Sequence, residues 1–238
     1  MPRKLPDPLT KDEFDKLFKE VKNFREEYHK TYYGKKTQKY SPRGGRVNQY
    51  MIAMILQFYS GMRLSEVLGL KPEVSLCCHV EFNIRKEGNK TIKICSECKT
   101  EFSVSKYTRG SLLDNWDIEP LTPERVKDDR ILVSQGKGQK DRWIPRPKMI
   151  NQSAVNKLPL TCSRRAYSDF LKKMGSKVLG RKINTHLLRH SFATHFLKKN
   201  PGDLKTLQIL LGHSRLDTTG IYAHVAIDDA LKKVEEAF

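Results

Sequence analysis

Six side chains in this sequence have the types and spacing to act on a phosphodiester. Arg63 follows Gly61-Met62 at the start of a helical segment, and Lys137 sits on the tip of a hairpin. His186-Leu187-Leu188-Arg189 sets a histidine and an arginine three residues apart, on one helical face. Gly212-His213-Ser214 then precedes Thr218-Thr219-Gly220-Ile221-Tyr222. Two arginines, a lysine, two histidines and a tyrosine, with no carboxylate cluster for a metal, suit an anionic phosphodiester held by fixed cations and attacked by a side-chain hydroxyl. Tyr167 and Tyr107 also offer hydroxyls, but only Tyr222 lies nine residues after His213. A straight helix over that interval would separate the two by ~13 Å, and breaks at Gly212 and Gly220 let the chain fold back.

The elements that must position these residues are mostly helical. Thr10-Lys11-Asp12-Glu13 opens a helix with a capping residue and first-turn acids, followed by Phe14, Leu17, Phe18 and Val21 at helical spacing. A second helical pattern runs from Val47 to Leu70 and is broken at Ser60-Gly61. Residues 72 to 130 differ. Val80 to Ile84 and Thr91 to Ile94 alternate about the turn Glu87-Gly88-Asn89-Lys90, which predicts a β-hairpin. Ile131-Leu132-Val133 and Arg142-Trp143-Ile144-Pro145 predict a second hairpin around Gly136-Lys137-Gly138. From Ser163 onward the pattern is helical, in pieces ended by Gly180, Gly202 and Gly212. The expected class is α+β, mainly helical with small antiparallel sheets.

Charge agrees with the chemistry. The 238 residues carry 45 Lys+Arg against 27 Asp+Glu, a formal charge of +18, which calls for an anionic partner. The 38% of hydrophobic residues supports a real core rather than a disordered basic chain. Apolar runs such as Met51 to Phe58 are far shorter than the ~20 residues of a membrane span, and Met1-Pro-Arg-Lys begins no signal peptide, so a soluble, cytoplasmic protein is expected. From Lys30 to Arg46 there are six basic residues, no acid, and the interleaved Tyr32, Tyr33 and Tyr40. Such a stretch suits a phosphate backbone, a solvated lysine-rich loop being the plainer reading.

Four motifs, in order, carry a family resemblance: Gly61-Met62-Arg63-Leu64-Ser65-Glu66-Val67; the turn Gly136-Lys137-Gly138 continuing to Lys140 and Arg142; His186-x-x-Arg189-His190-Ser191; and Leu210-Leu211-Gly212-His213-Ser214 ending at Tyr222. Together they resemble the tyrosine recombinases, the phage-integrase and Xer-type site-specific recombinases. The resemblance implies that Tyr222 attacks one strand of double-stranded DNA, leaving a 3′-phosphotyrosyl link and a free 5′-hydroxyl. It implies that Arg63 and Arg189 clamp the non-bridging oxygens and that Lys137, with Lys140 nearby on the same turn, protonates the departing oxygen. His186 would assist proton transfer from the tyrosine, His213 would hydrogen-bond the phosphate, and Glu66 would orient active-site side chains. No cofactor is implied for catalysis. The family setting also implies a nucleoid-associated enzyme encoded by a chromosome, a mobile element or a virus.

The sequence departs from the family pattern in two places. Relatives usually carry a separate helical clamp domain before a motif like Leu5-Pro6-Asp7-Pro8-Leu9-Thr10, which here starts at residue 5. The expectation is one catalytic domain over 1–238 with that clamp absent, holding DNA through Lys35, Lys36, Lys39, Arg43 and Arg46, and through Arg164, Arg165 and Arg181. The second departure is an inserted β-rich lobe over 74–128. Five cysteines are an odd count, and four fall between positions 77 and 98. Cys77, His79, Cys95 and Cys98, with Cys78 as the variant for Cys77, would make a zinc-ribbon-like structural site; reduced or disulfide-linked packing cysteines are the alternative.

The tail from Ala226 to Phe238 places Leu231, Val234 and Phe238 on one helical face. In the family such a helix joins the four protomers of a synaptic homo-tetramer; docking on its own core, in a free monomer, is the other reading. Two alternatives to recombination stand beside the main one: a nicking-resealing enzyme like the type IB topoisomerases, and a DNA-binding accessory factor that does not cut.

Overall fold

A computed structural model describes residues 7–33, 42–70, 73–74, 78, 82–87, 90–102, 108–109, 117–134, 141–213 and 222. Helix α1 (Lys11–Tyr33) starts as its sequence dictates. The Glu13 backbone N–H donates to Thr10 Oγ1 at 3.1 Å, and the Thr10 N–H donates to the Glu13 carboxylate at 2.9 Å. This reciprocal cap satisfies two donors that the first turn would otherwise leave open. Phe14, Leu17 and Val21 are fully buried, and Phe14 stacks on Phe58 of α2 (Pro42–Ser60) with ring centroids 3.9 Å apart.

Helix α2 begins five residues before the expected Val47. Pro42 has the fixed φ suited to a first helical turn, so residues expected in a basic loop are helical instead, Arg43 and Arg46 among them. Likewise α1 runs through Lys30 to Tyr33. Lys35, Lys36 and Lys39 lie outside the described residues, as does the side chain of Arg43.

After α3 (Leu64–Leu68) come three small antiparallel sheets. Strand β1 (Glu73–Val74) pairs with β5 (Thr108–Arg109). Strands β2 (Phe82–Glu87), β3 (Lys90–Cys95) and β4 (Glu101–Phe102) form a meander. Strands β6 (Arg130–Val133) and β7 (Arg142–Pro145) make a separate ribbon. The first predicted hairpin is present with its turn in the expected place, since Glu87 pairs with Lys90, but β2 begins at Phe82. Beyond β5 the chain is back on the helical body by Leu70 and Ile118, which bridge, and Leu121 is in the main core.

Helix α4 (Gln152–Val155) is short; α5 (Arg164–Leu179), α6 (Thr185–Lys199) and α7 (Leu204–Leu211) follow. Ser163, Asn184 and Asp203 cap the last three by accepting from backbone N–H groups three residues on. Gly180 and Gly212 stop α5 and α7 as expected, whereas α6 ends earlier than Gly202, at the Asn200 cap. The main core joins α1, α2, α5 and α6 with the inner faces of β6 and β7. A smaller cluster holds Ala193, Leu197, Leu207, Leu211 and Tyr222. Leu9 is pinned on α6, its N–H donating to Ser191 Oγ at 2.8 Å and its carbonyl accepting from His195 at 2.7 Å. The class is α+β and mostly helical. Among the described residues, no helix is long and apolar enough to cross a membrane.

Candidate active site

The site is built where α2 stops. Gly61 takes φ +64, and a Cβ placed there would come within 2.4 Å of the Phe192 ring, so only glycine makes this close turn without displacing α6. The turn aims α3 inward and leaves Arg63 at its N-terminus. The Arg63 N–H donates to the Glu66 carboxylate at 2.7 Å, which fixes Glu66 over the first turn of the helix.

Glu66 is the centre of the cluster, its side chain 2% exposed. Arg142 reaches it from β7 with two parallel bonds of 3.1 and 2.9 Å. Arg63 donates to it at 2.7 Å, and Arg189 from α6 lies 3.9 Å away. Backbone carbonyls accept from further donors. Arg189 reaches Gly61 O at 2.6 Å and Leu211 O at 2.7 Å, Arg142 reaches Leu210 O at 2.7 Å, and Arg63 reaches Gly212 O at 3.2 Å. The carbonyls at the end of α7 carry the negative pole of that helix, so three cations gathered there are favourably placed.

Burial and crowding set the protonation states. Burial alone would raise Glu66, but Arg142, then Arg189 and Arg63, outweigh it and hold the carboxyl below its ordinary value. Burial, then Arg63, lowers Arg189 to about 9, which leaves it charged at neutral pH. His213 stands 3.0 Å from Arg189 through Nε2. A guanidinium can only donate, so Nε2 accepts and the ring proton is on Nδ1. Burial, then Arg189, lowers His213 to about 4, so the ring is neutral at pH 7.

Tyr222 is 5% exposed, in the small cluster beside α6 and α7, with its ring stacked on His190 at 5.2 Å. Burial raises its phenol, and Arg189 is near enough to oppose that electrostatically. Tyr167, an alternative nucleophile by residue type, is fully buried and donates to Gln57 at 2.9 Å, a core contact.

Of the expected residues, the structure thus brings together Arg63, Glu66, Arg189 and His213, with Tyr222 alongside. His186 is exposed in the first turn of α6, and no hydrogen bond among the described residues ties it to the arginines. Lys137 lies outside the described residues, on the connection between β6 and β7. Arg142 belongs to the turn motif, whose pattern assigns it no role. The signal that could have found it is its position in β7, where it shares the inward face with Ile144.

The basic residues expected on DNA divide. Arg46 and Arg165 are exposed, Arg165 with only a 3.8 Å contact to Asp169. Arg164 is half-buried beside a cavity of about 440 Å³ lined also by Leu68, Leu70 and Cys162. Arg181 binds Glu13 at 2.8 Å and the Asp7 carbonyl at 2.9 Å, clasping the start of α1 to the end of α5. Among the described residues, the thiols of Cys78, Cys95 and Cys98 meet; Cys77 and His79 lie outside the described residues.

The phage integrase family model matches residues 8–228. The chain belongs to the phage integrase family. Within this family, the tyrosine recombinase XerC of Pseudomonas aeruginosa is 33% identical over 174 residues, 73% of this chain and 46% of its own length. The tyrosine recombinase XerA of Thermococcus kodakarensis is 38% identical over 137 residues, 49% of this chain and 48% of its own. The chain therefore spans about half the length of the relatives it matches. Among solved structures, XerH site-specific recombinase bound to a palindromic difH substrate superimposes with a TM-score of 0.53 at 19% identity, over 98% of this chain and 53% of that one. At that identity the likeness is one of fold.

Proposed function

We propose that this chain is the catalytic part of a site-specific recombinase that cuts and rejoins double-stranded DNA through a phosphotyrosyl intermediate. The observation that carries this reading is the buried Glu66 with three guanidinium groups gathered around it, beside a neutral histidine and a tyrosine. Names of the relatives, tyrosine recombinases XerA and XerC, point the same way.

The chemistry follows from these groups. Arg63 and Arg189 hold the non-bridging oxygens of the scissile phosphate, where charge grows in the transition state, and His213 donates its ring N–H to the same group. Tyr222 Oη forms a bond to phosphorus while the bond from phosphorus to the 5′-oxygen breaks. The phenolic proton leaves toward His186, and Lys137 gives a proton to the 5′-oxygen. A second 5′-hydroxyl reverses the step at little cost, because the phosphotyrosine keeps the bond energy. Arg46, Arg164 and Arg165, with Lys35, Lys36, Lys39 and Arg43, hold the backbone by charge. Residues 1–238 form one catalytic domain on this reading, with 74–128 an inserted lobe. Paired DNA sites are bridged by a homo-tetramer, and the enzyme works in the cytoplasm on a chromosome or mobile element.

The test is a pool of nicked suicide duplexes, in which the short strand below the nick diffuses away after cutting. A covalent protein-DNA adduct is expected, and Tyr222→Phe must abolish it while binding persists. Binding with no adduct would favour an accessory factor. Relaxation of supercoils with no recombinant product would favour a nicking-resealing enzyme.

A further inference from the structure

We propose that Cys78, Cys95 and Cys98 form a zinc site that holds the β2-β3-β4 sheet together. The proposal is independent of the recombinase reading. The ligand atoms of the three residues lie within 4.8 Å of one another. Thiolates bound to one tetrahedral zinc at about 2.3 Å stand roughly 3.8 Å apart, so a small inward movement fills three of the four positions, and a water or one further side chain takes the fourth.

The backbone shows how the three sulfurs come to meet. Cys95 ends β3, and the turn Ser96-Glu97-Cys98 follows it. The Lys99 N–H donates to Cys95 O at 3.2 Å, and the Cys95 N–H donates to Thr100 O at 2.9 Å, so the turn closes on itself. Lys99 takes φ +60, the only non-glycine positive φ among the described residues, and this reverses the chain into β4 with Cys98 beside Cys95. On the other side, Phe82 is the register partner of Cys95. Cys78, four residues before the start of β2, therefore arrives at the same end of the sheet.

Among the described side chains between 73 and 109, only Cys95 is buried. A metal bound beside it would add stability at that end of the sheet. A disulfide would use two of the sulfurs and strand the third, whereas a metal uses all three. Binding releases the thiol protons to solvent, and no oxidant or reductant is needed. Cys162 is different in kind: it is buried in the main core, where burial raises its thiol to about 11 and keeps it protonated.

The test uses the full chain, purified under reducing conditions without chelator. About one zinc per chain is expected by elemental analysis, and cobalt loaded in its place is expected to give thiolate-to-metal charge-transfer absorption in the near ultraviolet. Cys98→Ser changes an exposed side chain and is expected to weaken zinc binding at least roughly tenfold, and Cys162→Ala to leave it unchanged. The proposal is overturned by substoichiometric metal with no cobalt charge transfer, by full zinc affinity in Cys98→Ser, or by an intact mass showing a disulfide within the cluster. Because the cobalt spectrum is read on the unaltered chain, misfolding of a variant does not blunt the test.

Discussion

Replacing Glu66 by glutamine keeps the volume of the side chain and removes one charge from a site with three guanidinium groups. The carboxylate now accepts two bonds from Arg142, one from the Arg63 side chain and one from the Arg63 backbone, with Arg189 at 3.9 Å. An amide can accept on one oxygen only, and its NH₂ group would point at guanidinium donors. Breaking a buried ion pair from one side costs about 3–5 kcal/mol, because the partner charge is left uncompensated. For a chain of this size each kcal/mol lowers Tm by about 2–4 °C, so Glu66→Gln should melt roughly 6–20 °C below the unaltered protein. Urea denaturation should show the same loss. Arg142 is the principal partner, so Glu66→Gln combined with Arg142→Met should be less destabilised than the sum of the two single changes. DNA supplies the missing anion and should restore part of the lost stability in Glu66→Gln. A loss below about 1 kcal/mol in the single variant, with additive behaviour in the double, would refute Glu66 as the charge that assembles the site.

Other perturbations separate the roles of neighbouring residues. Arg63 is more exposed than its fellow arginines, and Glu66 keeps Arg142 without it, so Arg63→Ala should cost little in urea denaturation and reduce adduct formation by about 10²–10³-fold. The folded-state depression of His213 means that the unfolded chain binds the extra proton between pH 6.5 and about 4. Stability from this group is present above pH 6.5 and lost as pH falls through that window, by at most about 2 kcal/mol at pH 5; His213→Gln should flatten this part of the stability-pH profile. Arg181→Ala should destabilise by about 1 kcal/mol, since the Glu13 pair is partly solvated, and leave the salt dependence of DNA binding unchanged.

Local signals in the sequence were read well where one short-range effect dominates. The Thr10 cap, the alternation around Glu87 to Lys90, and the glycine stops at 180 and 212 each rest on a few adjacent residues. The start of α2 is less legible, because six cations and three tyrosines between Lys30 and Arg46 resemble a loop, while Pro42 at a first helical turn is the stronger cue. In the site, Arg63 and Arg189 were legible through their motifs. The contacts of Arg142 and Arg181 are not legible in the sequence, because their partners are distant in it. Arg142 pairs with a residue 76 positions away and Arg181 with one 168 positions away. An arginine facing a carboxylate and one facing solvent look alike until the fold brings the carboxylate in.

On the proposed reading, the same pairing explains how so much positive charge can be packed at one point and still act on a phosphate. Arg63, Arg142 and Arg189 bring three positive charges, and Glu66 brings one negative charge, so the buried cluster keeps an excess of two. Without Glu66 the guanidinium groups would repel one another in a poorly solvated site; with more acid the site would repel DNA. On the proposed reading a phosphodiester enters with one negative charge, and attack by the tyrosine oxygen raises that toward two at the five-coordinate stage. Neutralisation is therefore better matched to the transition state than to the bound substrate, which is what acceleration requires. His213, kept neutral by burial and by the arginines beside it, adds a hydrogen bond without disturbing this balance. On that reading the buried glutamate sets the net charge that a reacting phosphate would meet, as well as the direction in which each arginine points.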